Sequence, residues 1–346
     1  MIHLIQLGNG ASRRVAIVDE PRLRCLDGVT SIYDLALAAL HGGKGIVELA
    51  GTLARGESLD YDAVYNGTSE WHLLTPIDVP GSPSRTLVAG TGLTHLGSAK
   101  DRQAMHKTAT TKSDAAKAAE NITDSMRMFQ WGVEGGRPAE GKIGIAPEWF
   151  YKGNGSVLRA PFAPLDVPSY AEDGGEEAEL AGIYIVDSEG TPHRIGMATG
   201  NEFSDHKFEK RNYLNLAGSK LRSCSLGPEL VVGGDFTSIT GEVRIERDGR
   251  TLWHKAIETG EENMCHSLAN MEHHHFKYDL HRRPGDVHVH YFGACGISFG
   301  DGVKLADGDV MEISFESFGR ALRNPLRVDP TPDTFVPVRA VNTLNP

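Results

Sequence analysis

The sequence predicts an α+β chain in two parts: a small N-terminal α+β unit over residues 1–80, then a β-rich mixed unit over residues 85–330. Three observations predict it. The chain opens on a hairpin signal followed by one helical stretch; Gly81-Ser82-Pro83-Ser84 has the composition of a linker; and beyond it β-branched runs are punctuated by Gly, Asp and Ser turns.

In the N-terminal unit, apolar runs at residues 2–7 and 14–18 flank Gly8-Asn9-Gly10, a turn rather than a phosphate loop, because no helix opens directly behind it. Apolar residues then recur at helical spacing (Ile32, Leu35, Leu37, Leu40), broken by Gly42-Gly43. Residues 60–64 and 71–76 close the unit. After the linker, residues 86–90 read as a short buried strand running into Thr91-Gly92-Leu93-Thr94-His95. Residues 97–121 are polar and alanine-rich, with helix propensity but little apolar face; a weakly anchored lid and a solvated surface helix both fit. Residues 124–136 carry large side chains suited to a pocket wall.

The richest stretch is 175–228. Glu177-Ala178-Glu179-Leu180 leads into Ile183-Tyr184-Ile185-Val186 and the turn Asp187-Ser188-Glu189-Gly190, and a second run returns to Gly200-Asn201-Glu202. Side chains alternate faces along a strand, so Glu177 and Glu179 share a side and Glu202 arrives beside them. Three facing carboxylates repel, and some take up protons unless a cation neutralises them. Oxygen-only ligands suit Mg2+, Mn2+ or Ca2+; a solvated acidic edge strand is the plain alternative.

Composition narrows the rest. Forty per cent hydrophobic and 23% charged residues are ordinary for a globular chain, and a formal charge of −11 argues against nucleic acid or anionic lipid as partner. No apolar stretch reaches membrane length, no signal-peptide pattern opens the sequence, and Cys25, Cys224, Cys265 and Cys295 have no paired spacing; a cytoplasmic protein with free thiols is expected. His273-His274-His275 point in different directions on a helix and cannot chelate one ion together. His288 and His290 share a strand face, where hydrogen bonding inside a pocket is the preferred reading over zinc.

The ordered set ExEL, then Gly200-Asn201-Glu202-Phe203-Ser204, then Lys220 before Ser225-Leu226-Gly227-Pro228 resembles the fumarylacetoacetate hydrolase superfamily. Pro147-Glu148-Trp149-Phe150-Tyr151-Lys152 is similar to its PxxFxK segment, and Pro284-Gly285-Asp286-Val287 and residues 305–313 (LADGDVMEI) to its later strands. The phrases TGLTHLGSA, DSMRMFQWGVEGG, GNEFSDH and EHHHFKY resemble the GguC-like sugar-acid dehydratase branch. The resemblance implies a rolled-sheet catalytic domain over 85–330 and a homodimer. It also implies one Mg2+ (or Mn2+) on Glu177, Glu179 and Glu202, with Lys220 beside it to stabilise an enolate and Lys152 as a weaker substrate contact. After the domain no periodic pattern remains, and residues 331–346, with Pro332 and Pro337, read as an extended tail.

Three departures from the family matter. Many of its C–C hydrolases place a water-activating His where this chain has Ser98, and His95 falls where they have Tyr. Glu202 stands where Asp is usual. The TGTPxG loop becomes Phe292-Gly293-Ala294-Cys295-Gly296, losing the Thr hydroxyl but leaving backbone N–H groups at Gly293 and Ala294 that can hold a substrate carboxylate. The reading that follows is a hydro-lyase acting on a 2-keto-3-deoxy-pentonate to give 2,5-dioxopentanoate. The alternative is a C–C hydrolase of a 2,4-diketo-3-deoxy sugar acid or acylpyruvate, with His95 or Glu134 recruited to activate water. A non-catalytic sugar-acid binding protein is the third.

Overall fold

The structure, a computed structural model, describes residues 1–97, 99–100 and 123–341. Ser98 and nearly all of the lid candidate at 97–121 lie outside the described residues. The remainder forms two sheets. The larger has thirteen strands, and its main path runs Ser58–Asp60, Arg22–Cys25, Ser12–Asp19, Ile2–Asn9, Leu230–Val232, Pro192–Asn201, Ala178–Val186, Val287–Tyr291, Thr86–Gly92 and Glu148–Asn154. Most neighbours are antiparallel, while Val287–Tyr291 and Thr86–Gly92 pair in parallel. The smaller sheet orders Arg250–Thr259, Ile239–Arg247, Val310–Phe315, Leu322–Val328 and Leu165–Val167.

The N-terminal hairpin forms as its sequence suggests, with Gly10 in the left-handed region at φ 57°. Ser31 caps the helix Ile32–His41, its side chain accepting from the Asp34 N–H, and the chain breaks at Gly42-Gly43 before the helix Ile46–Leu53. Ile32, Leu35 and Ala36 bury their stripe in the same cluster as Val88, Ala181, Ile183 and Val289. Burying each such large side chain contributes about 1.5–3 kcal/mol. Ile2–Asn9 also pairs with Leu230–Val232, placing Ile2 opposite Val232. Sheet and core therefore run continuously across the segment at residues 81–84, and the first residues act as one flank of the larger unit's sheet.

Ala178–Val186 is the central strand, buried at all nine positions. Ala181, Ile183 and Ile185 face the N-terminal helices, while Ala178 and Leu180 join a second cluster with Met271, Val243 and Ile313. An uninterrupted apolar run is what a strand covered on both faces requires. Beyond Val328 residues 329–340 are exposed and carry neither helix nor strand.

On the second face of the sheet the helix Leu268–Phe276 delivers His275 to His288 and His290. Trp149 Nε1, which can only donate, lies 3.1 Å from His275 Nδ1, so that nitrogen accepts and His275 Nε2 carries the proton towards His288 Nδ1 at 2.9 Å. His290 Nδ1 lies 2.9 Å from the same His275 nitrogen, whose single lone pair it shares with the Trp149 N–H, and His290 Nε2 lies 2.6 Å from the Thr91 hydroxyl. Three neutral imidazoles, flanked by Trp149 and Thr91, are thus linked by hydrogen bonds, in keeping with the hydrogen-bonding reading of His288 and His290. Burial first, and the neighbouring histidines second, push His288 and His290 down to about 3.

Because these folded-state values lie below the ordinary 6.5, the unfolded chain binds the extra protons. The contribution is fully present above pH 6.5 and is lost as pH falls towards 3. Each such histidine steepens the loss by up to about 1.4 kcal/mol per pH unit. Urea midpoints of His288→Gln should therefore fall less steeply across this window than those of the parent chain. Parallel slopes would show that His288 titrates normally.

Candidate metal centre and active site

Glu177 ends the segment that enters the central strand, Glu179 follows two residues later, and Glu202 sits just past the end of the paired strand Pro192–Asn201. Glu179 lies opposite Gly200, and the Glu202 N–H donates to the Glu177 carbonyl at 3.0 Å. One oxygen from each of the three carboxylates lies within 4.8 Å of the others, and all three residues are buried. Among the described residues no other group of three or more His, Cys, Asp or Glu meets this spacing. The histidine chain does not, consistent with its role as a hydrogen-bonded support.

Two lysines enter the cluster with no exposed surface. Lys220 Nζ lies 2.5 Å from Glu177 Oε1, 2.6 Å from Glu202 Oε2 and 3.0 Å from Ser204 Oγ, and sits 4.8 Å from the Phe150 ring centre. Lys152 Nζ lies 2.6 Å from Glu202 Oε1 and donates to the Phe203 carbonyl. Glu179 has a different environment: its Oε2 accepts the Gly293 backbone N–H at 2.7 Å. Gly293 stands at φ 106°, and a Cβ there would come within 1.9 Å of Thr94 Oγ1, so glycine is what lets the turn approach the carboxylate.

The electrostatics follow from these contacts. Burial pushes Glu177 up, but the Lys220 ammonium and His206 outweigh it and hold the carboxyl well below the usual range. Burial and then the charges of Glu202 and Glu177 hold Glu179 well above it. Two lysines contact Glu177 and Glu202, and the carboxyl that neither of them contacts, Glu179, is the one whose proton affinity is raised well above the usual range. An all-oxygen, buried, net-negative donor set fits a hard divalent cation.

The remaining candidates are placed as follows. Gly293 adjoins Glu179, with Ala294 next to it, but the Gly293 N–H is engaged by that carboxylate rather than turned towards a substrate carboxylate. His95 is buried, its Nδ1 2.9 Å from Thr94 Oγ1 and its Nε2 3.0 Å from Thr259 Oγ1, and burial pushes it down to about 4. Glu134 is exposed on the helix Asp124–Gly135, whose buried residues are Ser125, Phe129 and Gly132, so the structure leaves it outside the buried cluster. Helical geometry decides this: Glu134 falls off the face those three residues share.

Several residues at the site carry no individual role in the sequence reading. His206 Nε2 lies 3.1 Å from Glu177 Oε1, Ser204 bridges Lys220 and Glu202, and Asp205 accepts from Arg222 at 3.0 Å. Glu148 is the other addition. Glu148, Phe150 and Lys152 alternate inward along one strand, so Glu148 shares the face that presents Lys152 to Glu202, and it accepts from the Tyr213 hydroxyl at 3.1 Å. That alternation is visible in the sequence; His206 had only its place directly after a helix-capping Asp.

With this geometry in hand, comparison places the chain among known proteins. Residues 115–327 match the model of the fumarylacetoacetate (FAA) hydrolase C-terminal family. A solved 2-keto-3-deoxy-D-arabinonate dehydratase, complexed with magnesium and 2,5-dioxopentanoate, superposes with TM-score 0.68 at 18% identity, covering 95% of this chain and 100% of that one. The 5-carboxymethyl-2-hydroxymuconate delta-isomerase of Mycobacterium smegmatis gives 0.54 at 15% identity, over 94% of this chain and 100% of its own. The 2-hydroxyhepta-2,4-diene-1,7-dioate isomerase of Mycobacterium marinum gives 0.55 at 15%, over 96% and 100%. No curated protein matches the sequence. At these identities the structural likeness is one of fold, and the family match spans well over half of the chain: the protein belongs to the fumarylacetoacetate hydrolase family.

Proposed function

We propose that the protein is a Mg2+-dependent (or Mn2+-dependent) hydro-lyase that dehydrates a 2-keto-3-deoxy-pentonate to 2,5-dioxopentanoate. The observation that carries it is the buried set of Glu177, Glu179 and Glu202 with Lys220 and Lys152 at its edge. The likeness in fold to a dehydratase solved with magnesium and 2,5-dioxopentanoate supports the substrate class. Glu177, Glu179 and Glu202 would hold the ion, which supplies Lewis-acid polarisation of a 2-oxo acid when bound.

The chain's own groups supply the rest. Loss of a C3 proton places negative charge on the C2 oxygen; Lys220, fixed by Glu177, Glu202 and Ser204, is the preorganised cation for it. The C4 hydroxyl leaves as water, and tautomerisation carries the product to the aldehyde. Glu148, inward on the Lys152 face, is the carboxyl suited to carry a proton at that end. The two side chains weighed for activating water in the hydrolytic alternative are poorly disposed: His95 has both ring nitrogens on protein hydroxyls and Glu134 is exposed. Both facts favour elimination over hydrolysis. Among the described residues no helix is long and apolar enough to cross a membrane; a cytoplasmic homodimer remains part of this proposal.

Two measurements bear on it. Burial and the neighbouring carboxylates raise the proton affinity of Glu179, so a cation competes with a proton there; affinity should rise with pH and protons should be released on binding. Calorimetry with Mg2+ in buffers of different ionisation enthalpy, between about pH 6 and 8, reads this directly; pH-independent affinity would count against Glu179 as a ligand. Lys220→Met should slow dehydration about 100- to 1,000-fold. Divalent affinity should change far less than turnover, because losing the ammonium strengthens the carboxylates' pull while it removes one of the two holds on Glu177. Product analysis on a 2-keto-3-deoxy-pentonate and an acylpyruvate in parallel decides the reaction: pyruvate release from the latter, at a rate matching dehydration, would overturn the lyase assignment.

A further inference from the structure

The imidazole of His206 is 2% exposed and reaches the metal-facing cluster from outside it. Its Nε2 lies 3.1 Å from Glu177 Oε1, the same oxygen that receives Lys220 Nζ at 2.5 Å. A carboxylate oxygen only accepts, so Nε2 carries the hydrogen of that bond. The other ring nitrogen, Nδ1, is buried and has no hydrogen-bond partner among the described residues. Leaving a buried polar atom unpaired is unfavourable, so the ring's one hydrogen bond, to Glu177, is what its placement secures. The surroundings hold the ring in place: its centre lies 5.2 Å from that of Phe299, and a Cβ on Gly175 would come within 2.6 Å of Nδ1. Asp205 caps the short helix that begins at His206 and is itself tied to Arg222, so the ring's base is fixed as well.

We propose that His206 is a positioning residue for the divalent ion: with Lys220 it occupies Glu177 Oε1, fixing the carboxylate's rotation so that Oε2 is turned to the cation. The proposal rests on the metal-binding reading of the triad. A hydrogen bond that orients a ligating carboxylate is worth about 10- to 100-fold in metal affinity.

Titration of the purified chain with Mn2+, following free Mn2+ by its electron paramagnetic resonance signal, tests both levels. The parent chain should bind one Mn2+, and His206→Ala should bind it about 10- to 100-fold more weakly. His206→Gln, which keeps an N–H donor, should recover most of the loss. Gly175→Ala keeps the imidazole but displaces it, and should weaken binding in the same direction. At saturating Mn2+, kcat of His206→Ala should stay within a few-fold of the parent, since the residue acts through Glu177 and not on substrate. Absence of Mn2+ binding by the parent would sink the metal reading and this inference together. Parent-like affinity in His206→Ala, or a Gln variant as weak as Ala, overturns the inference alone and leaves the metal reading standing.

Discussion

The structure depends on keeping three carboxylates and two ammonium groups together in a dry interior. Stripping a single such ion of water costs several kcal/mol, recovered only where partners are close and well aimed. Lys220 satisfies this with contacts to Glu177, Glu202 and Ser204, and Lys152 with Glu202 and the Phe203 carbonyl. Both ends of the paired strands must meet for these contacts to exist. The register that sets Glu179 against Gly200 is therefore also the register that assembles the charges. A one-residue slip would turn the carboxylates to the other face.

That other face is chemically opposite. Where Glu179 looks to Glu177 and Glu202, the adjoining strand Val287–Tyr291 sends His288 and His290 the other way, into a chain of neutral imidazoles closed by His275, Trp149 and Thr91. Buried hydrogen bonds that are fully satisfied stiffen a core more than apolar contacts alone. The parallel pairing of Val287–Tyr291 with Thr86–Gly92 then fixes the loop after each strand, which is how Thr94 and Gly293 come together beside Glu179. The imidazole face supports the acidic face without sharing its charge.

How much of this was legible in the sequence depends on the range of the interaction. The hairpin at Gly10, the helix break at Gly42-Gly43 and the shared side of Glu177 and Glu179 follow from local periodicity. Glu202 and Lys220 were reachable because ordered motifs mark them. The pairing of Ile2–Asn9 with Leu230–Val232 leaves no local trace, since a strand's sequence does not name its neighbour. Glu134 illustrates a different limit: membership of a dense, large-residue segment does not say which face of its helix is inward. The Gly293 N–H is hidden for a third reason, because a backbone donor has no signature of its own and its recipient is set by tertiary approach.

Asymmetry among the three carboxylates gives the site its direction. Glu177 is held ionised by Lys220 and His206, whereas Glu179 accepts the Gly293 N–H and feels the repulsion of Glu202 and Glu177 more strongly than the attraction of Lys220. Identical side chains two residues apart thus differ in proton affinity because the cations reach only one side of the cluster. A divalent ion would compete with a proton at Glu179, while Lys220 stays anchored on the Glu177 and Glu202 side. Substrate bound against the ion would then meet an ammonium on one flank only. In the proposed dehydration, the oxygen that develops negative charge would be selected by where that ammonium stands, so the asymmetry that tunes the carboxylates would also orient the substrate.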